Sequence, residues 1–165
     1  MESSTRNDYE RQLWSSFDPS SRADENDLEV AVRAVAEHPL VAAILDSAQI
    51  SMFVVDRHLQ IVAANKTAAA MLGKSHESIV GLRFGDAIGC VNADSGDCGC
   101  ASGDRCTGCG ATKSVLESRR LRKPTQGECV VSIVDGDRGS TAEYSVRATP
   151  VSVSGHYLTA VAMLD

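Results

Sequence analysis

The chain has 165 residues, 43% of them hydrophobic and 23% charged, so it is long enough to bury a core in one globular domain. Its net charge of −6 argues against a nucleic-acid-binding surface. The sequence contains no apolar run of the roughly 18 residues that a membrane helix requires, and its N-terminus lacks the pattern of an export signal. These features predict a cytoplasmic protein with no membrane segment.

Residues 1–25 are rich in Ser, Asp, Glu and Arg, and we expect a mobile tail there. Its apolar residues Leu13, Trp14 and Phe17 would suit a short helix that docks on another element. Over residues 26–48, apolar residues recur at spacings of three and four, which predicts an amphipathic helical cap interrupted at Pro39. Such a cap covers its own sheet or pairs with a second copy, and we expect a homodimer through these helices.

Two short apolar runs, Ser51–Asp56 and Gln60–Ala64, predict a β-hairpin. Asn65 then suits the N-cap of a helix that ends at Gly73. After a cysteine-rich segment, the patterns indicate one helix and then three strands: Gly110–Leu121, Glu128–Val134, Ala142–Val151 and Tyr157–Leu164. The short connections between these strands favour an antiparallel sheet. The predicted fold class is therefore α+β, a five-stranded antiparallel sheet with helices on one face, preceded by the amphipathic helix.

The cysteine-rich segment, CVNADSGDCGCASGDRCTGC, runs from Cys90 to Cys109 and holds five of the six cysteines. It has no hydrophobic periodicity, and its polar residues cannot form a core of their own, so it needs another organising centre. In a reducing compartment, clustered thiols indicate metal or redox chemistry more often than structural disulfides. Soft sulfur ligands suit zinc or an iron–sulfur cluster. Cys129 lies apart, beside Val130 and Val131 in a predicted strand, where we expect a packing role.

The run FVVDRHLQIVAANKTAAAMLG, the later GLRFGD and the three closing strands resemble the PAS sensor domain in their order over about residues 39–165. The resemblance implies a PAS-like domain over residues 26–165, with a loop insertion at residues 89–110. The cysteine motifs GCV, CGC and CTGCGA also resemble a subset of bacterial PAS domains that carry a cysteine cluster before the long helix. The ligands that this subset implies here are Cys90, Cys100, Cys106 and Cys109, with Cys98 as a substitute for Cys100.

The same resemblance implies a bacterial signal-sensing module without enzymatic activity, whose output is a histidine kinase or a similar signalling domain in a two-component system. Other PAS cofactors fit poorly. The sequence lacks the cysteine motif of flavin-photochemical PAS domains, and the helix over Ala111–Leu121 has no histidine that would bind haem.

The spacing of the cysteines is compatible with either a zinc or an iron–sulfur centre. Structural zinc sites often have two Cys-x-x-Cys pairs, and the clear pair here is Cys106 with Cys109. A cubane accepts wider spacing, so we favour a [4Fe–4S] cluster that senses redox state, oxygen or nitric oxide. One alternative is a zinc site that staples a structural or dimerisation domain. The other is a thiol oxidoreductase that uses Cys106 and Cys109.

Overall fold

The computed structural model describes residues 2–165, with side chains from Thr5 onward. Three helices come first: α1 (Glu2–Ser15), α2 (Glu25–Ala36) and α3 (Pro39–Ser47). The hairpin β1 (Ser51–Val55) and β2 (Ile61–Ala64) follows, and then the short helices α4 (Lys66–Leu72), α5 (His76–Ile79) and α6 (Phe84–Ile88). Two 3₁₀ turns, Val91–Ser95 and Asp104–Gly108, lie in the cysteine-rich segment. The chain ends with α7 (Gly110–Leu121), β3 (Thr125–Asp135), β4 (Arg138–Val153) and β5 (His156–Leu164).

The five strands form one antiparallel sheet in the order β2-β1-β5-β4-β3. This arrangement confirms the predicted α+β class and the five-stranded antiparallel sheet. The closing strands extend beyond the predicted bounds because β3 and β4 pair without interruption from Thr125↔Ala148 to the turn at Asp135↔Arg138.

Apolar clusters cover both faces of the sheet. On one face, the larger cluster joins sheet residues such as Phe53 and Val131 to residues of α4 and α7, among them Ala68 and Val115. On the other face, Ala31 and Val35 of α2 pack with residues of β1, β2, β4 and β5: Val54, Val62, Ala63, Val153 and Leu158. The amphipathic cap therefore covers its own sheet.

Local sequence explains where α4 begins and ends. The side chain of Asn65 accepts a hydrogen bond from the N–H of Ala68 at 2.9 Å, and it also accepts one from the N–H of Met52 in β1 at 3.0 Å. Gly73 ends the helix with φ of +62°, a left-handed conformation that glycine adopts without strain. One asparagine thus fixes both the helix start and its position against the hairpin.

Residues 1–25 were expected to be a mobile tail, but the structure describes residues 2–25 as helix α1, which contacts α7, followed by a connecting segment that leads into α2. Leu13 is fully buried and Phe17 nearly so, and both belong to the larger apolar cluster. Glu10 also forms an ion pair with Lys113 of α7 at 2.9 Å. Leu13 and this ion pair therefore hold the helix on the domain. Within residues 2–165, no helix is both long and apolar enough to cross a bilayer.

Candidate functional site

A cavity of about 300 Å³ lies between the cysteine-rich segment, the start of α7 and the inner face of the sheet. Its floor is apolar and includes Phe53, Ile61, Val131 and Met163. Five of the six cysteines line it: Cys90, Cys100, Cys106, Cys109 and Cys129. All six cysteines are free thiols. The structure therefore brings the four predicted ligand residues to one cavity and adds a thiol from β3.

The first turn of α6 holds Cys100 by both of its backbone groups. Its N–H donates to a carboxylate oxygen of Asp86 at 2.9 Å, and its carbonyl accepts from Nη1 of Arg83 at 2.8 Å. Burial raises the pKa of the Cys100 thiol to about 12. A cationic centre in the cavity would have to displace this proton, since metal ligands bind as thiolates.

Gly85 leaves room for two of the thiols. A Cβ at this position would lie 2.7 Å from Sγ of Cys100 and 3.5 Å from Cβ of Cys90. Cys90 follows Gly89, which ends α6 in a left-handed conformation, and it forms a bridge with Ile133 of β3. Cys90 and Cys100 thus both lie close to the backbone of Gly85, where a larger residue would displace them.

The Cys-x-x-Cys pair is formed by the second 3₁₀ turn. The N–H of Cys109 donates to the carbonyl of Cys106 at 3.0 Å. Cys106 is buried, with its sulfur 3.6 Å from the carbonyl of Asn92. Cys109 immediately precedes α7 and occupies its N-cap position. Both thiols of the pair line the cavity.

The sulfur atoms of Cys109 and Cys129 lie 3.8 Å apart. The Cys129 thiol donates toward Cys109, and the N–H groups of Thr112 and Ala111 also point at the Cys109 sulfur; together they lower the pKa of Cys109 to about 6. The same pairing, with burial, raises the pKa of Cys129. Of these two thiols in contact, Cys109 is therefore the one that ionises more readily.

Two glycines explain the contact between Cys109 and Cys129. A Cβ on Gly110 would collide with the backbone of Glu128, and one on Gly127 would lie 2.5 Å from the hydroxyl of Ser114. Because neither glycine has a side chain, the start of α7 packs directly on β3. The sequence predicted only a packing role for Cys129. Its alternation with Val131 on the buried face of β3 was the available signal for its orientation.

The structure places Cys98 differently from the other five cysteines. It does not line the cavity, and its carbonyl accepts a hydrogen bond from Arg22. Among the residues that the structure describes, no group of three or more His, Cys, Asp and Glu side chains is assembled to hold a single metal ion.

Known protein families and solved structures include folds similar to this one. Residues 40–105 match the family model described as a PAS domain. A PAS domain of the nitrogen regulation protein NR(II) from Vibrio parahaemolyticus superposes with a TM-score of 0.52 at 16% identity, over 76% of this chain and 97% of that one. A PAS domain of a protein from Colwellia psychrerythraea gives 0.53 at 16% identity, over 77% and 94%.

A PAS domain from a two-component sensor histidine kinase gives a TM-score of 0.51 at 12% identity, over 78% of this chain and 95% of that one. No curated protein sequence matches this chain. The solved structures and the family match confirm the PAS fold that the sequence predicted. The family match ends at residue 105, before Cys106, Cys109 and Cys129.

Proposed function

We propose that this chain is a bacterial signal-sensing PAS module that holds a [4Fe–4S] cluster through Cys90, Cys100, Cys106 and Cys109. The observation that carries the proposal is the convergence of these thiols, with Cys129, on one apolar-floored cavity. Such a cluster supplies a redox-active centre that responds to redox state, oxygen or nitric oxide. The module would act in the cytoplasm, without enzymatic activity of its own, and relay the signal to a histidine kinase or a similar output domain.

The protein supplies three contributions to the proposed site. Asp86 and Arg83 fix the backbone of Cys100, and the second 3₁₀ turn fixes Cys106 relative to Cys109. Cys129 and the first N–H groups of α7 direct hydrogen bonds at the Cys109 sulfur, and such bonds stabilise the thiolate and tune a metal–thiolate centre. The apolar residues of β1, β3 and β5 exclude water from one side of the cavity.

The spacing of the cysteines favours a cluster over zinc. Structural zinc sites often have two Cys-x-x-Cys pairs. Here the clear pair is Cys106 with Cys109, and Cys90 and Cys100 stand apart from each other in the sequence. A cubane accepts ligands at such wider spacing.

The decisive test is metal and sulfide analysis of protein purified and reconstituted without oxygen. We expect about four irons and four sulfides per chain, together with the visible charge-transfer absorption of an iron–sulfur cluster. Single serine substitutions at Cys90, Cys100, Cys106 and Cys109 should each reduce the iron content and the absorption. Cys98→Ser is the matched control and should retain both, because Cys98 does not line the cavity.

Cys129→Ser separates the fifth thiol from the ligand set, and we expect this variant to keep its iron because four ligands remain. Iron loss in C129S together with iron retention in C100S would mean that the fourth ligand is Cys129 and not Cys100. A colourless protein with one zinc would support the structural alternative instead. Protein that binds neither metal but reduces disulfides through Cys106 and Cys109 would be a thiol oxidoreductase, and the sensing proposal would fail.

A further inference from the structure

Arg83 lies where three separate segments of the chain meet. It is 1% exposed, and its Nε donates to the carbonyl of His58 in the β1–β2 turn at 2.8 Å. Its Nη1 donates to the carbonyls of Pro19 and Cys100 at 2.9 and 2.8 Å, and Nη2 donates to the carbonyl of Ser21 at 2.9 Å. One guanidinium thus joins the hairpin turn, the N-terminal segment and the cysteine-rich segment.

The charge of Arg83 is compensated by carbonyl groups. The ion pairs among residues 5–165 involve other residues, and the aromatic ring of Phe17 lies 5.0 Å from the guanidinium carbon. Burying a guanidinium is costly unless its N–H groups find acceptors, and here those acceptors come from three segments. Withdrawal of any one segment would leave buried donors unpaired, so the three segments stabilise one another.

A second arginine joins two of the same segments. Nη2 of Arg22 donates to the carbonyl of Cys98 at 2.5 Å, and Nη1 donates to the carbonyl of Pro19 at 2.9 Å. Two independent side chains therefore connect the chain around Pro19 with the loop from Cys98 to Cys100. This connection lies beside the cavity, since Cys100 is one of the residues that line the cavity.

The other end of the N-terminal segment is held by α7. Leu13 is fully buried, and Glu10 pairs with Lys113. Residues 2–22 therefore form a strap that contacts α7 through α1 and contacts the cysteine-rich segment through Arg22 and Arg83. A rearrangement at either contact changes the free energy of the other.

We propose that Arg83 is a positioning residue that couples Cys100 to this strap, so that displacement of Cys100 from the cavity loosens α1 and loosening of α1 frees Cys100. The inference deepens the proposed function and rests on it only for what occupies the cavity. Coupling between two sites is reciprocal and commonly amounts to about 5–150-fold in an equilibrium. Both directions are therefore measurable.

The test uses the metal-free 165-residue chain kept without oxygen. Alkylation by iodoacetamide is followed at each cysteine by peptide mass spectrometry, and hydrogen exchange is followed in α1. Arg83→Met and Arg22→Gln should raise the alkylation rate of Cys100 at least about fivefold and should speed exchange in α1. Arg33→Gln, which removes an exposed arginine of α2, is the matched control and should change neither.

Leu13→Asn tests the reciprocal direction, because it loosens α1 and leaves every hydrogen-bond partner of Arg83 unsubstituted. We expect the same rise at Cys100 and no rise at Cys129, which is buried on the sheet and serves as the internal reference. Arg83→Lys retains the charge and should restore part of the protection. If Arg83→Met does not fold, Arg22→Gln and Leu13→Asn decide the question.

An unchanged rate at Cys100 despite faster exchange in α1 would overturn the coupling. An equal rise at Cys129 would do the same, because it would indicate general loosening. The experiment is independent of the bound centre. Coupling in a chain that binds no iron on reconstitution would refute only the proposed cluster, whereas normal iron binding by a chain without coupling would refute only this inference.

Discussion

Cys109 receives hydrogen bonds from the Cys129 thiol and from the N–H groups of Thr112 and Ala111, and these donors lower its pKa to about 6. The thiolate is the reactive form of cysteine, so alkylation should remain fast as the pH falls and decline only as it passes through about 6. We expect this profile at Cys109 of the metal-free protein, measured by peptide mass spectrometry between about pH 5 and pH 9.

Cys129→Ala provides the control for that profile, because it removes the largest contribution to the lowered pKa. The midpoint for Cys109 should then move upward, toward the value of about 8.5 for an ordinary cysteine. A midpoint already near 8.5 in the unsubstituted protein would contradict the contact between the two thiols.

Gly85 allows a second prediction at the scale of a single residue. Gly85→Ala would place a methyl group 2.7 Å from the sulfur of Cys100, so the thiol must move. We expect a loss of about 1–3 kcal/mol in the free energy of unfolding, typical of overpacking, and a reduced iron content after reconstitution. Urea unfolding and metal analysis measure the two effects. Gly139→Ala, whose new methyl group meets nothing within 4 Å, should change neither.

Helix α3 is the element that remains exposed once α2 has covered the sheet. Leu40 and Ile44 are 64% and 50% exposed, and the proposed homodimer would bury them. We expect the double substitution Leu40→Glu and Ile44→Glu to convert a dimer into a monomer, as measured by size-exclusion chromatography with light scattering.

Val134 gives a matched control for this dimer because it is 62% exposed and lies in β3, far along the chain from α3. Val134→Glu introduces one such charge at a similarly exposed valine and should leave the dimer intact. A wild-type chain that is monomeric at high concentration, or a dimer that only Val134→Glu disrupts, would exclude the α3 interface.

Elements defined by local signals could be predicted from the sequence. The cap at Asn65 and the stop at Gly73 depend on neighbouring residues, and each lies at its predicted position. The contacts of Arg83 are of another kind, because they join positions separated by 17 to 64 residues. A lone arginine in GLRFGD carries no sign of such partners, since backbone carbonyls are available everywhere along a chain.

The same limit applies to the candidate site. The density of cysteines indicated a site at residues 90–109, but Cys129 joined it only through the sheet and the glycine-mediated contact of α7 with β3. A mobile tail was expected at the start of the chain because residues 1–25 are mostly polar, although Leu13, Trp14 and Phe17 suited a short docking helix. Its docking depends on the surface that α7 presents, which is a property of the assembled fold.

At the scale of the whole molecule, stability is distributed unevenly between the sheet and the cysteine-rich segment. The sheet is covered on both faces by apolar clusters, whereas the segment has two 3₁₀ turns and few buried side chains, among them Ala93, Ala101 and Cys106. Local unfolding follows such differences in burial. The proposed centre should therefore stabilise the segment far more than the sheet.

Removal of the metal tests this division. After chelation without oxygen, we expect hydrogen exchange to accelerate over residues 90–108 and in α1, which Arg22 and Arg83 connect to that segment. Exchange in β1 and β5 should stay slow, because their side chains remain packed in both apolar clusters. Cys98→Ser should respond to chelation as the unsubstituted protein does, while C106S should show fast exchange before any chelator is added. Faster exchange across the whole sheet would contradict this division. It would mean that the metal stabilises the entire fold, because β1 and β5 exchange slowly only while both apolar clusters stay packed.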